Sequence, residues 1–508
     1  MPMNEVIIGK YTLESLTSGM YSDPYIIFRE YIQNAVDSID EALAAGTLKK
    51  GEDKILVELH PLNHKISITD NGCGISATVA TKTLISIGNS NKDINKSRGF
   101  RGIGRLAGLS YCDTLVFETT AAGEPTGTRI SINSKRLLEL ISSTNNTNMT
   151  VSDVLIDVCS FDTYSEQVAS HYFRVTLLDV DDTTDLLNTT EVYDYIAQTC
   201  PVPFDSDSFL WGTEIHRRLI SHQQFLPEYR VFLCHGADKK EVLKLYSDKF
   251  CIDKTKGEFD NIHDVEIIKL NDSDGGLMAI GWIAKTSFLG TIPDKRIKGI
   301  RLRKGNMLIG DHQTLNTIFK DARFNGWSIG EVYVQKPNLL PNARRDNLEK
   351  NPTYFMLVEQ LMSLASNITK EIRVASVNRN SELATAIKKV QETKQAVDAA
   401  ITNGANSAVK GILTQKTSQA KQTLQNTGAK NDNDIYLQEI AFEELDLIIG
   451  RLQGITSFKS LNTIETLTKT EKKILEKVFN VIITCDGIAS SELIEKILSE
   501  FSKNVTGV

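Results

Sequence analysis

The segment in front of RGFRGIGRLAG, residues 98–108, decides what this chain can fold into. Gly99, Gly102, Gly104 and Gly108 stand among three arginines there, so a phosphate cradle, a dinucleotide fingerprint and a flexible loop are all open on composition alone. A P-loop needs G-x-x-x-x-G-K-[ST], and the sequence contains none. A dinucleotide fingerprint can be written over Gly102, Gly104 and Ala107. That motif has to leave a strand, however, and the preceding GNSNKDINKSR is polar and strand-averse. The spacing suits a flexible segment leading into a short helix, Arg105 to Ser110, whose first N–H groups would face phosphate oxygens.

Composition narrows the class. A chain of 508 residues has room for two to four domains with cores of their own. Its 41% hydrophobic and 24% charged residues are those of a soluble globular protein. A net charge of −7 argues against a chain dominated by nucleic-acid or anionic-membrane binding, without excluding a local basic patch. The seven cysteines are scattered and never paired as C-x-x-C, the usage of a reducing compartment without a disulfide framework or structural zinc. MPMNEVIIGKYTLES lacks a basic region followed by an apolar run, and no uncharged apolar stretch approaches the roughly 20 residues of a membrane span. A cytoplasmic protein that does not enter a membrane is expected.

From front to back, residues 12–44 look helical, with Ser22, Asp23 and Pro24 opening SDPYIIFREYIQNAVDSIDEALAAG and a stop near Gly46. The runs KILVELH, KISITD, DTLVFETT, GTRISIN, DVLIDVCSF and HYFRVTLLDV alternate as strands of a mixed or antiparallel sheet do. A helical interval at 191–200 follows. From about 209 a second α/β region runs through RVFLC, DVEIIKL, GLMAIGWIA, KGIRLRKGNMLIG and EVYVQKP. Beyond about 354 glycine and aromatics thin out. There Leu383, Val390 and Val397 recur every seven residues beside Ile387 and Ile401, a helix–helix seam with either a second copy or the same chain. The polar stretch 414–434 reads as a loop or weak helix, and amphipathic helices close the chain.

Three pieces carry chemistry. In the first helix Glu30, Asn34 and Asp37 fall at i, i+4 and i+7 and share a face, roughly opposite Ile32, Val36, Ile39 and Leu43. Alone, that stripe is an ordinary solvated face. KISITDNGCGIS brings Asp70 to a strand end before Gly72 and Gly74; a carboxylate there can accept from an exocyclic amine, and glycines let the backbone approach a flat ring. Alone, D-x-G-x-G is a common turn. The glycine segment is the third piece. Further on, NLLPNARRDNLEKN (338–351) is by itself a polar turn with an arginine pair.

In this order and spacing the pieces resemble the GHKL ATPase superfamily of gyrase, heat-shock chaperones, histidine kinases and MutL, and most of all the ninety-kilodalton heat-shock chaperones. LESLTSGMYSDPYIIFREYIQNAVDSID is similar to their first nucleotide-binding helix, DNGCG to the adenine loop and RGFRGIG to the glycine-rich end of the ATP lid. The resemblance implies an α+β fold: a Bergerat-type α/β sandwich ATPase domain at 1–185, a second, transducer-like α/β domain at 186–375 and a helical C-terminal region at 376–508. It implies ATP and Mg²⁺ as ligands. Glu30 would be the general base, Asn34 would complete the Mg²⁺ shell, and Asp37 would support the base pocket through water. Asp70 would accept from the adenine amino group, Gly72 and Gly74 would give the ring room, and Gly99, Gly102 and Gly104 would close the lid over the phosphates. Arg345, with Arg344 as the fallback, would reach the γ-phosphate from the middle domain. The family's Gly-Thr pair on the last strand of the domain is missing from HYFRVTLLDV; Gly127-Thr128 comes early and Gly212-Thr213 late, so that position stays unassigned.

The function implied is a chaperone-like ATPase whose lid closure and domain docking drive a homodimeric clamp on a protein client. The alternative is a clamp acting on DNA, as in the MutL, gyrase and MORC branches, within a genome-defence system. The acidic balance favours the first, while eight Lys and Arg against three Asp and Glu over 379–430 keep the second open.

Overall fold

The computed structural model describes residues 8–16, 23–86, 102–143, 149–379, 382–403, 407–427 and 432–461, with scattered positions between 468 and 478. The chain divides between Ile372 and Arg373 into two compact units.

The first unit opens with α1 (Tyr11–Leu16), α2 (Ile26–Ala45), β1 (Ile55–His60), β2 (Lys65–Asp70), α3 (Ala77–Ile85), β3 (Cys112–Thr120), β4 (Thr126–Asn133) and α4 (Ser134–Ser142). Next come α5 (Val151–Val158), β5 (Cys159–Ser165), β6 (Tyr172–Val180), α6 (Thr189–Thr199), α7 (Trp211–Ser221), β7 (Val231–His235) and β8 (Asp238–Glu241). The eight strands make one sheet in the order β5-β4-β3-β6-β2-β1-β7-β8, antiparallel except where β7 runs parallel to β1. Alternation places Val57, Ile66, Ile68, Leu115, Phe117, Val175 and Leu177 on one face, buried in a single core with Ile32, Val36 and Ile39 of α2. The helix stops where Gly46 turns left-handed at φ +73° and its N–H returns to Ala42 and Leu43 carbonyls.

Two segments differ from the strand pattern read in the sequence. Residues 151–158 form a helix because Thr150 and Asp153 make a reciprocal capping box, which favours a helix start by about 1 kcal/mol. The strand begins only at Cys159. RVFLC, read with the second α/β region, supplies β7 to the first sheet, which therefore draws on residues well past 185.

The remainder of the unit is built on β9 (Lys249–Asp253), β10 (Glu258–Asn261), β11 (Asp264–Asn271), β12 (Leu277–Lys285), β13 (Gly299–Lys304), β14 (Met307–Ile309) and β15 (Ile329–Val334), the last five ordered β11-β12-β15-β13-β14. Phe204, Phe209, Tyr246 and Trp282 form its aromatic core. Beside them lies a buried charge cluster: Glu331 meets Lys244 Nζ and Arg303 Nε, each at 2.6 Å. Burial pulls the Lys244 ammonium down to about 8. Burial also pushes Glu331 up, yet Arg303 and Lys244 beside it hold its carboxyl well below the usual carboxylate range. Arg303 Nη2 also donates to the Gln198 carbonyl at 2.6 Å, fastening this sheet to α6. Removing one partner of such a pair costs about 3–5 kcal/mol, because the other charge is left buried and unpaired.

Helix α8 (Pro352–Arg379) crosses the division, and the second unit contains α9 (Glu382–Asn403), α10 (Ser407–Gln425) and α11 (Asp432–Leu461). Leu383, Val390 and Val397 are buried against Leu413, Leu424, Leu445 and Ile448 of the same chain. The sevenfold seam is thus occupied within the chain. Of the two readings of 414–434, the helix holds through Gln425. KTEKKILEKVFNVI and SSELIEKILSEF fall chiefly outside the described residues.

Candidate functional site

The polar face of α2 is covered, not solvated. Glu30 and Asp37 are each 3% exposed, and Asn34 is half-buried. One cover is the glycine segment. Gly104 lies so close that a Cβ there would sit 2.0 Å from Glu30 Oε2. Tyr31 on α2 fixes the segment, its hydroxyl accepting the Gly108 N–H at 2.9 Å and donating to the Arg105 carbonyl at 3.2 Å. Arg105 in turn donates to the Ser86 carbonyl just past α3. Gly102 enters this arrangement in the left-handed region, φ +68°. Gly99, Arg98 and Arg101 lie outside the described residues.

Asp70 ends β2 with 3% exposure and accepts the Gly72 N–H at 2.9 Å. The loop after it is clamped from both sides. Cys73 N–H donates to the Ser38 carbonyl of α2 at 3.2 Å, and Ile75 N–H to Thr119 Oγ1 of β3 at 2.8 Å. A Cβ on Gly74, at φ +65°, would meet the Thr120 carbonyl at 1.8 Å, and one on Gly72 would meet Ser38 Oγ at 2.2 Å. These glycines are required by the protein's own packing before any ligand is considered. The Gly72 carbonyl takes a 2.7 Å hydrogen bond from His171 Nδ1, which must therefore carry its proton on that nitrogen.

Asp70 pairs in register with Phe173 of β6, and Phe173 with Thr119 of β3. Thr128 lies on β4, with β3 and β6 between it and β2, and Thr213 lies on α7, so neither Gly-Thr pair adjoins Asp70.

The second cover over α2 is the turn after β15. Arg345 is 5% exposed and donates Nε to Glu30 Oε1 at 3.2 Å, whereas Arg344 is exposed to solvent. The Arg345 backbone sits at φ +64°, a conformation costing a residue with a Cβ about 1–2 kcal/mol. It is held there by its N–H to the Asn342 carbonyl at 3.1 Å and by the Gly310 N–H to its own carbonyl at 2.8 Å. Arg345 Nη1 is buried without a hydrogen-bond partner among the described residues, a donor available to a further acceptor.

The structure therefore gathers Glu30, Gly104 and Arg345 at one point, with Asp37 and Asn34 on the same helix face and the Asp70 loop joined to α2 through Ser38. Three neighbours were not singled out in the sequence. Arg29 and Gln33 widen the polar stripe of α2 at i−1 and i+3 from Glu30, a signal present but unused. Thr119 sits in an ordinary strand pattern and gave none. No group of three or more His, Cys, Asp or Glu suited to a metal occurs among the described residues. Asn34 alone can offer a cation one oxygen, so any Mg²⁺ would bind mainly through phosphate oxygens and water.

Residues 26–158 match the family model described as histidine kinase-, DNA gyrase B-, and HSP90-like ATPase. A chaperone protein HtpG of Polaromonas sp. strain JS666 is 31% identical over 131 residues, 22% of this chain and 21% of that protein. The chaperone protein HtpG of Acinetobacter baylyi is 32% identical over 131 residues, 22% and 20% of the two chains, and that of Salinispora tropica 26% over 157 residues, 27% and 25%. The match thus spans only a fifth to a quarter of these relatives' length. The matched segment holds α2, the Asp70 loop and the glycine segment over one sheet, and by these features residues 26–158 belong to the histidine kinase, gyrase and heat-shock-chaperone ATPase superfamily and resemble its HSP90-like members.

Proposed function

We propose that this chain binds ATP with Mg²⁺ and hydrolyses it to ADP and phosphate. The observation that carries the reading is the buried meeting of Glu30, Gly104 and Arg345, an acid, a close backbone and a cation brought together from three distant parts of the sequence. Asp70 accepts from the adenine amino group in the clamped loop of Gly72 and Gly74, and Asp37 supports the base through water. Glu30 orients the attacking water and takes its proton. Asn34 would help hold Mg²⁺, which would supply neutralisation of phosphate charge. Arg345 turns its unpartnered Nη1 to the terminal phosphate, where a planar, permanently charged fork stabilises developing charge. Gly102 and Gly104 let the lid close and exclude water.

On this reading turnover drives a chaperone-like, homodimeric clamp in the cytoplasm. Among the described residues no helix is long and apolar enough to cross a membrane. The proposed dimer has to use a surface other than Leu383, Val390 and Val397, which are spent within the chain. A clamp on DNA is the second reading, favoured by Lys388, Lys389 and Lys416, which stay exposed on α9 and α10. The deciding experiment is steady-state ATP hydrolysis alone, with duplex DNA and with an unfolded protein, alongside the Asp70→Asn variant. Stimulation by unfolded protein and loss of ATP binding in D70N are expected. Stimulation by DNA alone moves the assignment to the second reading, and unchanged affinity in D70N removes the pocket.

A further inference from the structure

Three buried side-chain atoms without a hydrogen-bond partner among the described residues lie on α2 and the Arg345 turn about Glu30: Arg29 Nε, Gln33 Nε2 and Arg345 Nη1. Their side chains are 4%, 2% and 5% exposed. Arg29 and Gln33 stand at i and i+4 on α2 and so are neighbours on its surface. Arg29 Nη1 donates to the Arg345 carbonyl at 3.5 Å, and Arg345 Nε to Glu30 at 3.2 Å, so the two guanidinium groups and the carboxylate are one cluster. That cluster holds two cations against one anion. Burial pulls the Arg29 guanidinium down, but an arginine does not give up its proton in a protein, so the excess positive charge stays. Buried charge without compensation, beside three donors without acceptors, is strongly unfavourable. An oxyanion cancels the charge and satisfies the donors together.

We infer that Arg29, Gln33 and Arg345 form a site for a tetrahedral oxyanion of the phosphate class, and that Arg29 lets the chain distinguish a nucleoside triphosphate from a diphosphate. The second half rests on the ATPase reading; the first half does not. The base loop joins α2 at Ser38, and Glu30 lies eight residues back along the helix, about 12 Å at the helical rise of 1.5 Å per residue. A nucleotide whose base sits at Asp70 therefore brings its last phosphate, not its first, to this cluster. Neither Arg29 nor Gln33 has a role in base recognition or metal binding on the proposed mechanism, so their contribution is separable from both.

The test uses the full chain. Inorganic phosphate is titrated against thermal stability without nucleotide, with sodium chloride at matched ionic strength as the control. Affinities for ADP and for a non-hydrolysable ATP analogue are then measured by calorimetry on the wild type, Arg29→Gln and Gln33→Met. Phosphate should raise the melting temperature of the wild type beyond the chloride control and do so much less in R29Q. The ratio of ATP-analogue to ADP affinity should fall roughly ten- to a hundredfold in R29Q, the worth of a charge-assisted hydrogen bond, and by less in Q33M. ADP affinity should stay within about twofold. Should R29Q fail to fold, Arg29→Lys, which keeps the charge and loses the fork, should show a smaller fall in the same ratio. A wild type indifferent to phosphate overturns the oxyanion site, and an affinity ratio unchanged in the folded Arg29 variant overturns the discrimination. A phosphate response without binding of either nucleotide leaves the oxyanion site standing and removes the ATPase reading together with the discrimination.

Discussion

Gly104→Ala probes the site with one methyl group. The backbone at Gly104 is outside the left-handed region, so alanine brings no strain of its own there. Backbone propensity alone makes the exchange neutral or mildly stabilising. The new Cβ, however, would stand 2.0 Å from Glu30 Oε2 and 2.9 Å from its Cδ. Ordinary contact begins near 3.4 Å, so one partner has to move by roughly 1.4 Å. Glu30 resists because it is 3% exposed and bonded to Arg345 at 3.2 Å. Shifting the glycine segment instead strains the two hydrogen bonds of Tyr31, each worth about 1 kcal/mol. The easier route predicts a stability loss of about 1–2 kcal/mol by urea unfolding. Either route moves the general base relative to the backbone beside it, and a 1 Å misplacement costs on the order of a hundredfold in rate. Steady-state hydrolysis at saturating ATP should therefore fall about a hundredfold while ADP affinity, measured by calorimetry, holds within a fewfold. Turnover within twofold of wild type at unchanged stability would refute the reasoning, because it would mean that Glu30 and Gly104 do not meet as described.

Arg345→Ala should slow hydrolysis by about 10²–10³-fold with little loss of ADP affinity, and a normal rate removes this arginine from the mechanism. Leu445→Ala, at a fully buried position of the helical core, should lower the stability of the second unit by about 2–5 kcal/mol in a chemical melt. It should leave the oligomeric state measured by light scattering unchanged, since that core closes within one chain. Dissociation of a dimer by this substitution would contradict the internal seam.

How much was legible in the sequence depended on range. The 3.6-residue periodicity of α2 is local, so the shared face of Glu30, Asn34 and Asp37 could be read directly. What covers that face was not legible from periodicity, because Gly104 and Arg345 arrive from 74 and 315 positions away; only the family resemblance pointed to them. The same limit explains β7, whose apolar run looks alike in either sheet and whose parallel pairing with β1 joins Ile55 to Val231, 176 positions apart. Residues 151–158 failed for a different reason: a short apolar run has no decisive period, and Thr150 with Asp153 was the capping signal that settled it. Spacing by sevens announced a seam at Leu383, Val390 and Val397 but could not say whose helix filled it. At Gly72 and Gly74 the motif was visible while its nearest cause, contact with Ser38 and Thr120, was not.

ATP binding and hydrolysis measured side by side on Glu30→Ala test the central claim most directly. With the general base removed and Asp70 and its loop intact, binding should hold within a fewfold of wild type while hydrolysis falls to background. Hydrolysis persisting near the wild-type rate in E30A would contradict the account, since no other group described at the meeting of Gly104 and Arg345 can take the proton from water.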